Sequence, residues 1–225
     1  MGARPRRLLS MPPPPPSAAS STHQAGERAP LPQSKLVLVT GKGGVGRSST
    51  ATAIAVDLAA LGRTVALVHA VDAPPVEPPR DAARGLVVIP LDRDHALSNY
   101  LGDQLPGPFA AALRASRAFK LVTAATPGLA ELLTIGELKR LADRYDHLVF
   151  DAPATGHLLA LLDAPGRFER AAAVGPIARR ASDLGKWIVD PQIVSVVAVT
   201  TGDGLAVSEM LELVDTLEER LGRPP

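Results

Sequence analysis

Cysteine is absent from the 225 residues of this chain. Disulfides, thiolate zinc sites, a cysteine nucleophile and any thiol site for a metalloid are therefore excluded. Aromatic residues make up only 3%, and 24 basic residues stand against 23 acidic ones, so neither a base-stacking platform nor a basic surface for nucleic acid is expected. No apolar run approaches the roughly 18 to 20 residues that a membrane span needs, so we expect a soluble, cytoplasmic protein.

Prolines are abundant but unevenly distributed, since eight of the 22 lie in residues 1–34. The run Pro12 to Pro16 and its Ser and Ala neighbours offer little to bury, and consecutive prolines favour extended polyproline II. We therefore predict a disordered Pro-rich tail over 1–34, with a true start at either Met1 or Met11. The remaining residues, 35–225, are expected to form the folded domain.

From Lys35 onward, short apolar runs alternate with segments of helical periodicity. This alternation predicts an α/β fold with a mostly parallel sheet, helices on both faces and a helical insertion around 92–145. The predicted strands are Leu36–Val39, Thr64–Val71, Leu86–Pro90, Phe119–Ala124, His147–Phe150 and Ile193–Val199. Helices are predicted at 47–62, at 92–117 with a break at Gly107, at 128–144, between Asp151 and Val189, and at the end of the chain, where one face holds Val207, Met210, Leu211, Val214, Leu217 and Leu221.

The most informative stretch follows the first predicted strand and reads GKGGVGRSST from Gly41 to Thr50. Glycines between a strand and a helix let backbone N–H groups wrap around phosphate oxygens, and the helix start adds its positive dipole end. The hydroxyl of Ser48, directly after a basic residue, is suited to coordinate Mg²⁺. The alternative is a glycine-rich turn without a ligand. The predicted phosphate site comprises Gly41, Lys42, Gly43, Gly44, Val45, Gly46, Arg47, Ser48 and Ser49.

This spacing is similar to the phosphate-binding loop of P-loop NTPases, GxxxxGK[ST], at every position but one. Arg47 stands where a lysine is expected. Arginine is longer, planar and directional, so it does not simply replace a compact ammonium. We expect nucleotide binding to survive this change better than turnover does.

A second signature begins with Asp151, which ends a predicted strand and is followed by APATGH. A carboxylate at the carboxyl end of a strand, beside the loop of a neighbouring strand, lies where α/β sheets bind ligands. We therefore expect Asp151 and Ser48 to hold Mg²⁺ together. Taken alone, an aspartate at the end of a strand would be better explained as a turn residue or a helix cap.

The two stretches KGGVGR at Lys42–Arg47 and DAPATGH at 151–157 together resemble the arsenite-pump and tail-anchored-protein targeting ATPases, particularly actinobacterial members. The resemblance implies an ATPase that converts ATP and water to ADP and phosphate, with ATP and Mg²⁺ as cofactors. It also implies a nucleotide-sandwiching dimer in which Lys42 reaches the partner's nucleotide. Arg47 and the early C-terminus leave a heterodimer with a paralogous ATPase open beside a homodimer. A membrane protein or another protein would be the client.

The same resemblance assigns further roles near the nucleotide. Asp72 would orient the attacking water, although a plain loop aspartate is the alternative because the expected DPAH sequence is incomplete. His157 would belong to the second switch, with an ordinary loop histidine as the alternative. The expected catalytic residues are thus Asp72, Lys42 and Arg47.

Three departures separate the chain from its relatives. The missing cysteines remove both the metalloid thiols of an arsenite pump and the zinc-binding pair of the targeting ATPases. The family continues past the last helix into another strand and a loop that contact adenine, so we expect the domain to be truncated at Pro225. Few methionines and a small apolar face in the 92–117 region favour core packing over a client site; this face comprises Leu97, Leu101, Leu105, Phe109 and Leu113.

Three functions remain open on this basis. The first is a dimeric, ATP-hydrolysing switch whose turnover is impaired by Arg47. The second is a non-catalytic nucleotide-binding subunit that regulates a paralogous ATPase in a heterodimer. The third is a small-molecule kinase, which the loop alone permits and DAPATGH disfavours.

Overall fold

The computed structural model describes residues 30–70, 84–91, 96–100, 107–117, 125–153, 155–172 and 175–224. Most of the predicted tail, Asp72 and the predicted strand Phe119–Ala124 lie outside the described residues. The secondary-structure elements all belong to one compact unit, Leu31–Pro225.

Five strands and six helices have defined bounds in the described residues. The strands are β1 (Leu36–Gly41), β2 (Val65–Ala70), β3 (Leu86–Leu91), β4 (His147–Asp151) and β5 (Val194–Val199). The helices are α1 (Arg47–Ala60), α2 (Gly107–Ala115), α3 (Leu129–Ala142), α4 (Thr155–Ala172), α5 (Pro176–Val189) and α6 (Gly204–Leu221). Residues 96–100 are also helical. The strand and helix pattern expected from the sequence is therefore confirmed within the described residues, including helical segments in the 92–145 region.

The strands form one parallel sheet in the order β3-β2-β4-β1-β5. Every residue of β1 and β4 is buried, which explains why these strands read as continuous apolar runs. Because all strands run the same way, their carboxyl ends meet at one edge of the sheet. The glycine loop after β1 and Asp151 at the end of β4 are thereby brought to the same edge.

Alternate side chains of β1 enter two separate hydrophobic clusters. Val37 and Val39 pack in a cluster with the buried face of α1. Leu36 and Leu38 pack in a larger cluster on the opposite face, with residues of α3, α4, α5 and α6. The period of two in a strand produces this division, so helices cover both faces of the sheet as expected.

The apolar face predicted for the last helix is buried only in part. Val207 and Leu211 are exposed, whereas Leu213, Leu217 and Leu221 are buried in α6. Met210 also packs against the large cluster, so helical periodicity identified a shared face but not how far the core extends along it.

The small apolar face predicted for the 92–117 region is also corrected. Phe109 is 69% exposed, which contradicts core packing at this position. Leu97 and Leu113 are half-buried, and Leu101 and Leu105 lie outside the described residues. Phe109 lies near the start of α2, whose first three residues are all exposed.

Asp146 connects the beginnings of β2 and β4. Its Oδ2 accepts hydrogen bonds of 2.8 Å from both the backbone N–H and the hydroxyl of Thr64. The backbone bond from Thr64, the hydroxyl bond and nearby Lys35 and Arg63 lower the pKa of Asp146. The charged carboxylate is therefore favoured in the folded state.

We expect Asp146→Asn to destabilise the protein at neutral pH and to lose this effect in acid. A carboxyl whose pKa is depressed on folding stabilises the fold above its unfolded pKa, about 3.9, and this contribution disappears as pH falls through the folded value. Urea unfolding at pH 7, 5 and 3 measures the gap between wild type and variant. Asp57→Asn, on the exposed side of α1, removes the same charge as a control. A gap that persists unchanged at pH 3 would contradict this account.

Candidate nucleotide site

The site is built where β1, β4 and β5 end. Val39 of β1 pairs in register with Asp151 of β4, and Gly41 pairs with Val199 of β5. The backbone N–H of Ala152 donates to the carbonyl of Val39 at 3.0 Å, which holds the two strand ends together. The loop that follows Gly41 therefore lies directly beside the Asp151 carboxylate.

The loop residues 42–46 lead into the N-terminus of α1. Gly44 and Gly46 have φ angles of 84° and 90°, in the left-handed region that glycine adopts readily. Gly46 is the N-cap residue and supplies no side-chain cap, and the first turn of α1 has no acidic residue. The first N–H groups of the helix and its positive dipole end are thus available to an anion, as the sequence predicts for the phosphate site.

The space over this loop is open. A Cβ atom added at Gly43, Gly44 or Gly46 would meet nothing within 4 Å. These glycines are therefore not required by packing within the described residues. Open space beside a glycine backbone is what close approach of a phosphate group needs.

Asp151 is bound by two side chains from the start of α1. Arg47 Nε donates to Asp151 Oδ1 at 3.0 Å, and Ser48 Oγ donates to Asp151 Oδ2 at 2.6 Å. Arg47 Nη1 also donates to the carbonyl of Gly41 at 3.2 Å. Two predicted site residues, Ser48 and Asp151, are thus in direct contact, and Arg47 joins them.

The ion pair between Arg47 and Asp151 is shielded from solvent. The exposed side-chain fractions are 15% for Arg47 and 5% for Asp151. Salt screens such a pair weakly, and removal of one member of a buried pair typically costs about 3–5 kcal/mol because the other charge is left uncompensated. The contact therefore couples the phosphate loop to the end of β4.

The oxygen atoms of this cluster fit a magnesium ion in chemical type. Mg²⁺ prefers hard oxygen ligands and is commonly held by one or two carboxylates, water and substrate phosphates. Ser48 Oγ and Asp151 Oδ2, 2.6 Å apart at the phosphate loop, provide a hydroxyl and a carboxylate of this kind. The Arg47 guanidinium already binds the second carboxylate oxygen, so a metal ion would share Asp151 with it.

Lys42 points away from this cluster, toward α6. Its Nζ lies 2.8 Å and 2.7 Å from the two carboxylate oxygens of Glu209. Both side chains are well exposed, at 59% and 42%, so the pair contributes little to stability. Lys42 and Glu209 also line a cleft of about 380 Å³ that includes Thr155, Thr200 and Met210.

The structure gives little support for a role of the remaining predicted residues. His157 lies in the first turn of α4 and is exposed. Asp72, the predicted water-orienting residue, lies outside the described residues, as does Ala154 of the DAPATGH stretch. Their predicted roles therefore stay predictions.

Sequence reasoning missed polar residues near the same edge. Glu209 is one, because nothing in the α6 pattern links it to a loop 167 positions earlier. Thr40 and His69 are two others: both are buried near strand ends, and Thr40 Oγ1 and His69 Nδ1 have no hydrogen-bond partner among the described residues. The only sequence feature that could have indicated Thr40 and His69 is that each is a polar residue near the end of an apolar strand.

Among the described residues, no three His, Asp or Glu side chains converge to form a metal site. None of the helices described combines the length and apolar character that crossing a bilayer requires.

A parallel sheet with a glycine loop before α1 and an aspartate at the end of the adjacent strand defines a P-loop NTPase fold. Residues 34–221 match the anion-transporting ATPase family, and the chain belongs to that family. The resemblance noted in the sequence is thereby confirmed.

Relatives of this family come from bacteria and fungi. ATPase BagA of Mycobacterium tuberculosis is 32% identical over 210 residues, which cover 82% of this chain and 61% of that protein. ATPase GET3 of Ajellomyces dermatitidis is 26% identical over 204 residues, covering 83% and 58%. The arsenical pump-driving ATPase of Escherichia coli is 31% identical over 164 residues, covering 62% and 28%. The chain thus spans about three fifths of the first two relatives.

Proposed function

We propose that this chain is an ATP-binding and ATP-hydrolysing protein that acts in the cytoplasm as a dimeric nucleotide switch. The contact of Ser48 with Asp151, at the start of a helix that follows a glycine loop, is the observation that carries this proposal. It combines an anion-binding helix start with hard oxygen ligands at the carboxyl edge of a parallel sheet. Membership of the anion-transporting ATPase family supports ATP as the nucleotide.

Each part of the proposed site has one task. The backbone from Gly43 to Ser49 binds the phosphates, and Ser48 with Asp151 would hold Mg²⁺. Arg47 supplies positive charge beside the loop, and Asp72 orients water for in-line attack on the γ-phosphate. When bound, Mg²⁺ would neutralise charge on the phosphate oxygens. Positioning and charge stabilisation by these residues would account for most of the rate increase.

Arsenite transport is not part of this proposal. The relative from Escherichia coli carries the name arsenical pump-driving ATPase. This chain has no cysteine, so it lacks the thiols that would bind the metalloid. A membrane protein or another protein is the proposed client.

The structure also favours one second function. Because the Arg47 guanidinium pairs with the Asp151 carboxylate, less of its positive charge is available to the γ-phosphate. The chain would then serve as a nucleotide-binding subunit that regulates a paralogous ATPase in a heterodimer. High turnover by the purified chain alone would exclude this alternative.

The proposed function is tested by measuring phosphate release and molecular mass on the same preparation. Purified protein with ATP and Mg²⁺ should release inorganic phosphate slowly, and ATP should shift its mass from one chain to two. Transfer of phosphate to an acceptor other than water would indicate a kinase instead. Absence of nucleotide binding would contradict the proposal altogether.

Lys42→Ala is expected to keep ATP binding within one chain and to abolish the ATP-dependent mass shift. In the structure Lys42 pairs with Glu209, so we propose that this exposed bond exchanges for the partner's nucleotide in the dimer. Light scattering with and without ATP measures the shift. Glu209→Gln is the matched variant, and it should change the ATP concentration for half-maximal dimer by less than about fivefold, because exposed pairs contribute about 0–1 kcal/mol. A dimer of Lys42→Ala at the wild-type ATP concentration would refute this role.

A further inference from the structure

His69 is a buried histidine near the end of β2 to which the proposed mechanism gives no task. The residue is 7% exposed, and its Nδ1 has no hydrogen-bond partner among the described residues. Nearly all buried polar side chains bind another protein group or an ordered water molecule, because an unpaired one costs free energy. Nδ1 of His69 is therefore available to a ligand or to water.

His69 and Asp151 are neighbours on one face of the sheet. They pair in register between β2 and β4, and adjacent strands lie about 4.8 Å apart. Val65 and Leu67 of β2 pack in the cluster that contains the buried face of α1, so the period of two turns His69 toward the same side. Asp151 lies on this side as well, because its Oδ2 accepts from Ser48 of α1. The imidazole is thus placed beside the carboxylate that we propose for Mg²⁺.

A second histidine shows what is unusual at this position. His147 is equally buried, at 7%, and lies at the beginning of β4. Its Nδ1 is 2.9 Å from the carbonyl oxygen of Ser34, so hydrogen bonding within the protein accounts for it. His69, near the carboxyl end of the neighbouring strand, has no such explanation in the described residues.

The chemistry of magnesium gives such a nitrogen a task. Mg²⁺ keeps several waters when it is held by one or two protein oxygens, and imidazole nitrogen suits it less well than oxygen as a direct ligand. A water molecule on a cation points its hydrogens outward, and the unprotonated nitrogen of a neutral imidazole accepts from it. Removal of a group that binds a metal's ligands in this way typically lowers metal affinity about 10–100-fold.

We propose that His69 is a positioning residue for Mg²⁺, and that its Nδ1 accepts a hydrogen bond from a water molecule on the ion that Ser48 and Asp151 hold. Strand β2 then contributes a side chain to the site, alongside β4 and the start of α1. This inference rests on the proposed function and adds to it a residue that orients the hydrated ion.

The free protein should not need this nitrogen. His69→Val removes an unpaired buried group and leaves a β-branched side chain that suits a buried strand. Thermal unfolding without nucleotide should therefore give a Tm equal to or above that of wild type. His147→Val is the matched control, and it should lower Tm because it removes the partner of the Ser34 carbonyl. A loss of Tm in His69→Val as large as that in His147→Val would assign His69 to packing and overturn the inference.

Binding is tested by calorimetric titration of the full chain with a non-hydrolysable ATP analogue, in excess MgCl₂ and in excess EDTA at equal ionic strength. His69→Val should bind at least about tenfold more weakly than wild type in MgCl₂ and within about threefold of wild type in EDTA. His69→Asn should stay within about threefold of wild type in both buffers, because its amide oxygen is bonded to Cγ, as Nδ1 is in histidine. His147→Val should match wild type in both buffers.

The outcomes separate this inference from the proposed function. Equal weakening of His69→Val in both buffers, or unchanged affinity in MgCl₂, overturns the role of His69 and leaves the nucleotide site intact. Wild-type affinity that is the same in both buffers overturns the inference together with the magnesium site of Ser48 and Asp151. A wild-type chain that binds the analogue in neither buffer contradicts the proposed function itself.

Discussion

Arg47→Lys should raise ATP turnover at least about tenfold, equivalent to about 1.4 kcal/mol in the activation barrier. Two physical changes contribute. A compact ammonium can approach the γ-phosphate more closely than the guanidinium, and Asp151 loses the N–H donor that now engages its Oδ1 at 3.0 Å. Charge stabilisation at the transferring phosphoryl group is the main source of catalysis in this chemistry, so both changes act on the transition state.

Steady-state phosphate release with saturating ATP and Mg²⁺ measures this effect. Arg63→Lys is the matched control, since Arg63 is exposed between α1 and β2, and it should leave the rate unchanged. If Arg47→Lys turns over no faster than wild type, Arg47 does not limit the reaction, and the hypothesis that Arg47 impairs ATP turnover is wrong.

Gly41→Ala should be among the most destabilising single substitutions in the chain. Gly41 has a φ of 156°, and a Cβ atom there would lie 2.4 Å from the backbone oxygen of Val199. Because the obstacle is backbone of β5, relief requires β1 and β5 to separate at the edge where the loop begins. Overpacking of this kind costs about 3 kcal/mol, which corresponds to a fall in Tm of roughly 6–12 °C for a chain of this size.

Thermal unfolding without nucleotide measures this difference. Gly43→Ala is the matched control, because its Cβ would meet nothing within 4 Å and its φ lies outside the left-handed region. We expect Gly43→Ala to keep Tm within a few degrees of wild type. Equal loss of stability in both variants would show that the close approach of Gly41 to Val199 is unimportant.

Much of the fold could be predicted from local pattern. Strand β1 was recognised as an apolar run that ends at Gly41, and α1 by apolar residues at helical spacing. Asp151 was identified from its place at the end of the apolar run His147–Phe150, followed by APATGH. These predictions hold because strands buried on both faces and helices with one buried face leave distinct periods in the sequence.

Phe109 was expected to pack in a core, but it is exposed, and Val207 and Leu211 on the predicted apolar face of the last helix are exposed as well. Periodicity shows which residues lie on one side of a helix, but it does not show whether another element covers that side. The coverage depends on where the helix lies relative to the sheet.

Residues 41–50 and 151–157 were sufficient by themselves to predict the phosphate loop and its acidic partner, Asp151. The contacts among them could not be predicted in this way, since Arg47 and Asp151 are 104 positions apart and Lys42 and Glu209 are 167 apart. Their meeting depends on the strand order β3-β2-β4-β1-β5, which places the ends of β4 and β5 on either side of the loop. Sequence pattern reflects backbone geometry within one helix or strand. The pairing of Arg47 with Asp151 and of Lys42 with Glu209 depends instead on which charged side chains the assembled sheet brings within hydrogen-bonding distance.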